Sequence, residues 1–177
     1  MLPIDLNAWV EANRERLRPP VGNALIFDAE GFIVMAVGGP NARQDFHVNE
    51  GPELFLQLEG DIVLRVIEGE GADLRVAEVP IREGQLFLLP PRVPHSPQRP
   101  PGTVGLVVER VRTPDERDGF LWLCESCGAQ IHRTEVHLHD ITAQLAELLR
   151  AFWADTQART CPSCGALLER RDGRAAT

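Results

Sequence analysis

Residues 21–112 alternate short β-rich runs with turn residues, and this pattern restricts the fold more than any other feature of the chain. The runs fall at 24–27, 32–37, 53–58, 61–68, 72–79, 85–90 and 103–111. Gly38-Gly39-Pro40-Asn41, Glu59-Gly60-Asp61, residues 69–71, Glu83-Gly84 and Pro90-Pro91 separate them. Many short strands at this spacing make a β-sandwich or barrel. No helical segment intervenes, which argues against a parallel α/β sheet, whose strands need helical crossovers.

The flanks read differently. Residues 1–20 predict a helix packed on the barrel, with Asp5 as N-cap and Leu6, Trp9, Val10 and Leu17 at roughly helical spacing. Pro19-Pro20 is its expected end. The barrel is expected over 21–112 and a C-terminal segment over 113–177. That segment opens on a polar stretch, Thr-Pro-Asp-Glu-Arg-Asp-Gly at 113–119, which reads as a linker. A strand-like run at 135–139 and a helix follow. Asp140 is the expected N-cap, and Leu145, Leu148, Leu149 and Phe152 form the apolar face. The tail from Glu169 has no apolar periodicity and is expected to fray.

A chain of 177 residues can bury a real core. Its net charge of −8 argues against a generic nucleic-acid binder. The same charge repels anions, so a site for an anionic substrate needs its own cations. No apolar run matches a membrane span. The first twenty residues lack the apolar stretch of a signal peptide, so the cytoplasm is the expected location. A homodimer paired through edge strands is the expected assembly.

Two groups of residues carry chemistry. Gly39, Asp45, His47, Glu53 and Gly60 form the first, and Gly84, Pro90 and His95 the second. Their spacings resemble the two signature motifs of the cupin superfamily. Asp45 stands where the first motif usually has His. Arg92 and Arg99 stand where the second usually has Gly and Asn. Two imidazoles and a carboxylate on neighbouring strands suit Fe(II) and leave coordination positions open. The competing reading makes His47 and His95 ordinary hydrogen-bonded residues of β structure, and ligand types alone also admit Mn, Ni or Zn. The resemblance implies a mainly β fold, a cupin double-stranded β-helix or jelly-roll barrel with a few flanking helices.

The four cysteines form two pairs, Cys124/Cys127 and Cys161/Cys164, each with two residues between. Four thiolates so spaced predict a closed tetrahedral site for structural Zn or a rubredoxin-like iron. His132, His137 and His139 lie nearby and read as exposed polar residues; Trp122 and Trp153 read as packing residues.

A closer resemblance lies around the cupin ligands. Residues 37–47, 89–100 and 106–110, together with 19–23, 118–124 and the paired cysteines, look like bacterial 3-hydroxyanthranilate 3,4-dioxygenases. That family converts 3-hydroxyanthranilate and O2 to 2-amino-3-carboxymuconate semialdehyde, a quinolinate precursor in tryptophan catabolism and NAD synthesis. The resemblance implies Fe(II) at His47, Glu53 and His95. It implies Arg43 and Arg99 at the substrate carboxylate and Glu109 near the substrate amino and hydroxyl groups. It implies a second, rubredoxin-like iron at the four cysteines. Phe46, Pro52 and Leu56 depart from the family pattern and put the substrate in question. The alternatives are a dioxygenase for a related 2-aminophenol or catechol, and a non-enzymatic cupin that binds an aromatic acid.

Overall fold

The computed structural model describes every residue except 1, 19–21, 30, 70–73, 140 and 172–177, and not the side chains of 29, 42 and 142. Helix α1 (Leu6–Ala12) starts at Asp5, whose carboxylate accepts the Ala8 N–H at 3.0 Å, as expected of an N-cap. A 3-10 turn (Arg14–Leu17) carries Leu17 onto the barrel. The expected stop at Pro19-Pro20 and the cap at Asp140 lie outside the described residues.

Twelve strands follow: β1 (Asn23–Ala29), β2 (Phe32–Gly38), β3 (Asn41–Ala42), β4 (Asp45–Val48), β5 (Glu53–Glu59), β6 (Ile62–Glu68), β7 (Arg75–Ile81), β8 (Leu86–Leu89), β9 (His95–Arg99), β10 (Val104–Arg110), β11 (Asp118–Leu123) and β12 (Gln130–Val136). They form two antiparallel sheets. One runs β1-β2-β10-β5-β8; the other runs β12-β11-β4-β9-β6-β7, with β3 on β9. This is the expected mainly β, cupin-like architecture. Helices α2 (Ile141–Ala154) and α3 (Thr156–Arg159) follow the strands. No described helix is long and apolar enough to cross a membrane.

Each of the seven β-rich runs contributes a strand among the described residues. Five strands, β3, β4, β9, β11 and β12, lie outside those runs. β4 and β9 are short and rich in polar residues, and β9 contains Pro97 yet lies between β4 and β6. β11 starts at Asp118, inside the stretch expected to be a linker, and pairs with β4. β12 ends at Val136, so the expected strand at 135–139 is corrected. His137 and His139 follow the strand, and the His137 ring is bonded to the Glu116 carbonyl at 2.9 Å.

Alternation sorts the side chains. In β5 the buried positions are Glu53, Phe55 and Gln57. Met35, Val37, Phe55 and Val107 from one sheet meet Ile62, Leu64 and Val66 from the other in the main core. A second cluster seats Val10 and Leu17 against Ala24, Ala36 and Val104, so the N-terminal helix packs on the barrel.

Two motif positions now have reasons. A Cβ on Gly39 would stand 2.0 Å from the Pro100 carbonyl oxygen, so only glycine lets the 39–45 loop pass that turn. Arg92 occupies the usual glycine position of the second motif and has φ 63°, the left-handed region. Its N–H is bonded to the Asn49 carbonyl at 2.8 Å and its Nε to Glu50 at 2.7 Å, which offsets the strain. Gly39→Ala is expected to destabilise the protein by about 1–3 kcal/mol, seen as a lower urea midpoint with an unchanged slope.

Candidate functional site

The strand pairing brings the cupin residues together. His47 on β4 is directly opposite His95 on β9, and Glu53 reaches them from β5 in the facing sheet. Glu53 Oε1 lies 3.4 Å from His47 Nδ1, and its Oε2 lies 3.3 Å from His95 Nε2. The three residues are buried, and one ligand atom from each falls within 4.8 Å of the others. Burial alone would raise the Glu53 carboxyl, but His95 and His47 hold it well below the usual carboxylate range. Burial alone would lower His47, but bonds to Asp118 and Glu53 raise it to about 9. So concentrated a donor set could hold a divalent cation. Among the described residues this group and the four cysteines are the clusters able to do so.

Each imidazole is oriented from its far side. His95 Nδ1–H donates to the Val93 carbonyl at 3.0 Å, which leaves Nε2 directed toward Glu53. His47 is turned the other way: Nε2 lies 2.6 Å from Asp118 Oδ2, leaving Nδ1 toward Glu53. The Phe120 ring stacks on His47 with centroids 5.0 Å apart.

A cavity of about 230 Å³ opens onto the triad. This is room for one substituted ring and too little for a dinucleotide. Met35, Val37, Phe55 and Val107 form apolar walls, and Ile141, Leu145 and Leu149 of α2 roof it. The expected apolar face of α2 is therefore shared, because Phe152 instead stacks on Trp122 at 3.9 Å.

Arg43, Arg99 and Glu109 all line this cavity. Arg43 is held by Asp45, whose Oδ1 accepts from Nε at 3.1 Å. Asp45 thus anchors an arginine at the position where the motif usually has a ligand. Arg99 is 3% exposed, with one 3.4 Å bond to Gln57 and an Nε without a partner among the described residues. Burial with no facing carboxylate lowers its guanidinium to about 10. Glu109 is 3% exposed and faces inward. Burial and the nearby Glu53 push its carboxyl up to about 6 against the pull of Arg112.

Three residues with buried side chains beside the site had no signal in the sequence. Arg112 Nη1 is 2.6 Å from Glu109, and its Nε and Nη2 grip Asp118 at 3.0 and 2.7 Å. Asn49 Nδ2 is 3.4 Å from both Glu53 and Glu109. Arg112 and Asp118 belong to a polar run that looks like a solvated linker, and no spacing marks them. The departures at Phe46, Pro52 and Leu56 do not line the cavity. Phe46 is buried with Arg65 over its ring at 5.3 Å, and Pro52 is exposed.

The four cysteines also converge, their sulfurs within 4.8 Å of one another. Cys124 and Cys164 are 3.6 Å apart, as are Cys127 and Cys161. That is too long for a disulfide. It is close to the edge of about 3.8 Å expected of a tetrahedron with metal–sulfur bonds of about 2.3 Å. The pairs sit on matching turns: Cys124 and Cys161 N–H donate to the Ala129 and Ala166 carbonyls, each at 2.8 Å. Backbone N–H groups of Cys127 and Ser126 lower Cys124 to about 6. The Ala166 N–H favours the Cys164 thiolate, but the neighbouring cysteines push Cys164 up to about 12. Four sulfurs this close could hold a metal ion between them. His132, His137 and His139 belong to neither cluster.

Residues 1–153 match the family described as 3-hydroxyanthranilic acid dioxygenase. A 3-hydroxyanthranilate 3,4-dioxygenase from Xanthomonas oryzae pv. oryzae is 48% identical over 165 residues, 93% of this chain and 91% of that protein. One from Jannaschia sp. is 46% identical over 162 residues, 91% and 88% of the two chains. Among solved structures, a cupin-2 domain containing protein from Shewanella frigidimarina has a TM-score of 0.46 at 14% identity, over 62% of this chain and 94% of that one.

The ion pair beside the cavity sets a stability expectation. Asp45→Ala leaves the Arg43 guanidinium without its carboxylate and is expected to cost about 1–3 kcal/mol, measured by chemical denaturation.

Proposed function

This chain belongs to the 3-hydroxyanthranilic acid dioxygenase family, and from that premise we propose that it opens the ring of 3-hydroxyanthranilate with O2 to give 2-amino-3-carboxymuconate semialdehyde. The observation that carries the substrate assignment is Arg99, a guanidinium 3% exposed, facing a cavity and lacking a carboxylate partner among the described residues. A buried cation without an anion is costly, and an aromatic carboxylate would supply the anion. In a chain of net charge −8 this local cation also overcomes the long-range repulsion of an acid.

His47, Glu53 and His95 would hold Fe(II), which when bound supplies open positions for chelation and lets O2 react with an electron-rich ring. The positions of the protein groups support the roles assigned to them here. Arg99 pairs with the substrate carboxylate, and Arg43, held in place by Asp45, steadies it from the 39–45 loop. Together they fix the ring in one orientation. Glu109 faces the same cavity and accepts the substrate hydroxyl proton as general base. A carboxyl near 6 is mostly ionised at neutral pH and basic enough for that transfer. Met35, Val37, Phe55 and Val107 contact the ring faces and exclude water.

The four cysteines would hold a structural iron of the rubredoxin type, or Zn, with no open position for catalysis. The cytoplasm and a homodimer belong to the same reading. Leu86 and Leu88, exposed on edge strand β8, support the dimer.

The test is O2 uptake and semialdehyde absorbance after anaerobic Fe(II) loading and addition of 3-hydroxyanthranilate in air. Substituted 2-aminophenols and catechols without a carboxylate serve as comparison substrates and are expected to be poor. Fully loaded protein that consumes no O2 would overturn the proposal. Arg99→Leu is expected to lower kcat/KM on the order of 10²-fold, mainly through KM, with Fe(II) content unchanged. Cys161→Ser is expected to remove one metal equivalent per chain, read by elemental analysis, and to lower the thermal midpoint.

A further inference from the structure

Arg112 and Asp118 are the least expected charges in the molecule. Their side chains are only 5% and 1% exposed, yet both are ionic. A buried ion pair is weak evidence for stability, since an apolar pair of like volume commonly serves as well. Their placement points to another role.

Asp118 is the first residue of β11, and the next residues of that strand pair with β4, Phe120 opposite His47. This register sets the Asp118 carboxylate behind the His47 ring, on the side away from Glu53. Its Oδ2 is 2.6 Å from Nε2, while Phe120 stacks on the ring face. Arg112 holds both Asp118 oxygens in a two-pronged grip and spends its remaining prong on Glu109, 2.6 Å away. Asn49 completes the circuit from Glu109 back to Glu53. One rigid guanidinium plane therefore spans the carboxylate behind a candidate metal ligand and the candidate base.

We propose that Asp118 and Arg112 are positioning residues of the active site. Asp118 accepts the Nε2–H of His47 and so directs the Nδ1 lone pair at the metal position. Arg112 keeps Asp118 and Glu109 in one frame, so the base and the His47 ligand hold a fixed relation. A lysine in place of Arg112 could keep the charge but not the planar three-way geometry. The inference rests on the reading of His47, Glu53 and His95 as a metal site.

The experiment compares anaerobic Fe(II) affinity, by chelator competition, and the electron paramagnetic resonance of the Fe(II)–nitric oxide adduct. The proteins are the unsubstituted chain, Asp118→Ala, Asp118→Asn, Arg112→Lys and His47→Ala, with circular dichroism of each reporting the fold. Loss of an outer partner of a metal-bound imidazole typically weakens metal binding about 10–100-fold, the drop expected for Asp118→Ala. Asp118→Asn keeps an acceptor oxygen and is expected to recover part of the affinity. Arg112→Lys is expected to alter the adduct spectrum while retaining most of the bound iron. Folded Asp118 variants that bind Fe(II) within about twofold of the unsubstituted chain, with the same spectrum, would overturn the proposal. If neither Asp118 variant folds, an unchanged affinity and spectrum in Arg112→Lys overturns it equally. A different result, an unsubstituted chain whose Fe(II) binding survives His47→Ala, would overturn the metal reading itself.

Discussion

Charge buried between two sheets is the condition on which the site depends. Asp45, His47, Glu53, Glu109 and Asp118 are each at most 5% exposed, and Arg99 is 3% exposed. Taking ions out of water costs several kcal/mol apiece unless opposite charges and hydrogen bonds answer them. Here nearly all are answered within the protein: Asp45 by Arg43, Glu53 by two imidazoles, Asp118 and Glu109 by Arg112. Arg99 stands apart, with one long bond to Gln57 and an Nε without a partner among the described residues. The site is thus a balanced polar network with one buried cation that faces no carboxylate among the described residues.

The β scaffold makes this possible by dividing its interior. The inward positions of β5 run from Glu53 at the site to Phe55 in the main core. Those of β10 run from Glu109 at the site to Val107 at the same core. One strand therefore supplies chemistry at one end and adhesion further along. The two imidazoles share a sheet, and the carboxylate comes from the opposite one, so the two sheets must be packed before the three donors can meet. Close packing of the two sheets limits how far those donors can shift.

The C-terminal segment is bound into the same structure. The matching cysteine turns bracket the segment that contains β12 and α2, and α2 roofs the cavity with Ile141, Leu145 and Leu149. Gln44, next to Arg43 and Asp45, bonds to the Glu169 carbonyl at 3.0 Å and the Arg171 N–H at 2.8 Å, both just beyond the second pair. The four-cysteine cluster and the cavity loop are therefore neighbours in space, although they are far apart along the chain.

Much of this was legible in the residues. Runs of β-branched and apolar side chains dictated the seven strands they occupy, and cysteine spacing dictated the sulfur cluster. The spacing of His47, Glu53 and His95 pointed to the triad, because turns and strand lengths constrain which residues can converge. Glu109 was ambiguous: in an apolar run on both sides, sequence parity does not say which face is inward, and only its register with Glu53 on β5 decides. β9 hid behind its proline and polar residues, and β11 behind a polar lead-in. Asp118 and Arg112 had no signal, since a carboxylate behind an imidazole is a relation between strands that the linear order does not contain. Local propensity and spacing thus settled most of the elements and the donor types; long-range strand pairing decided the remaining strands and which charges face one another.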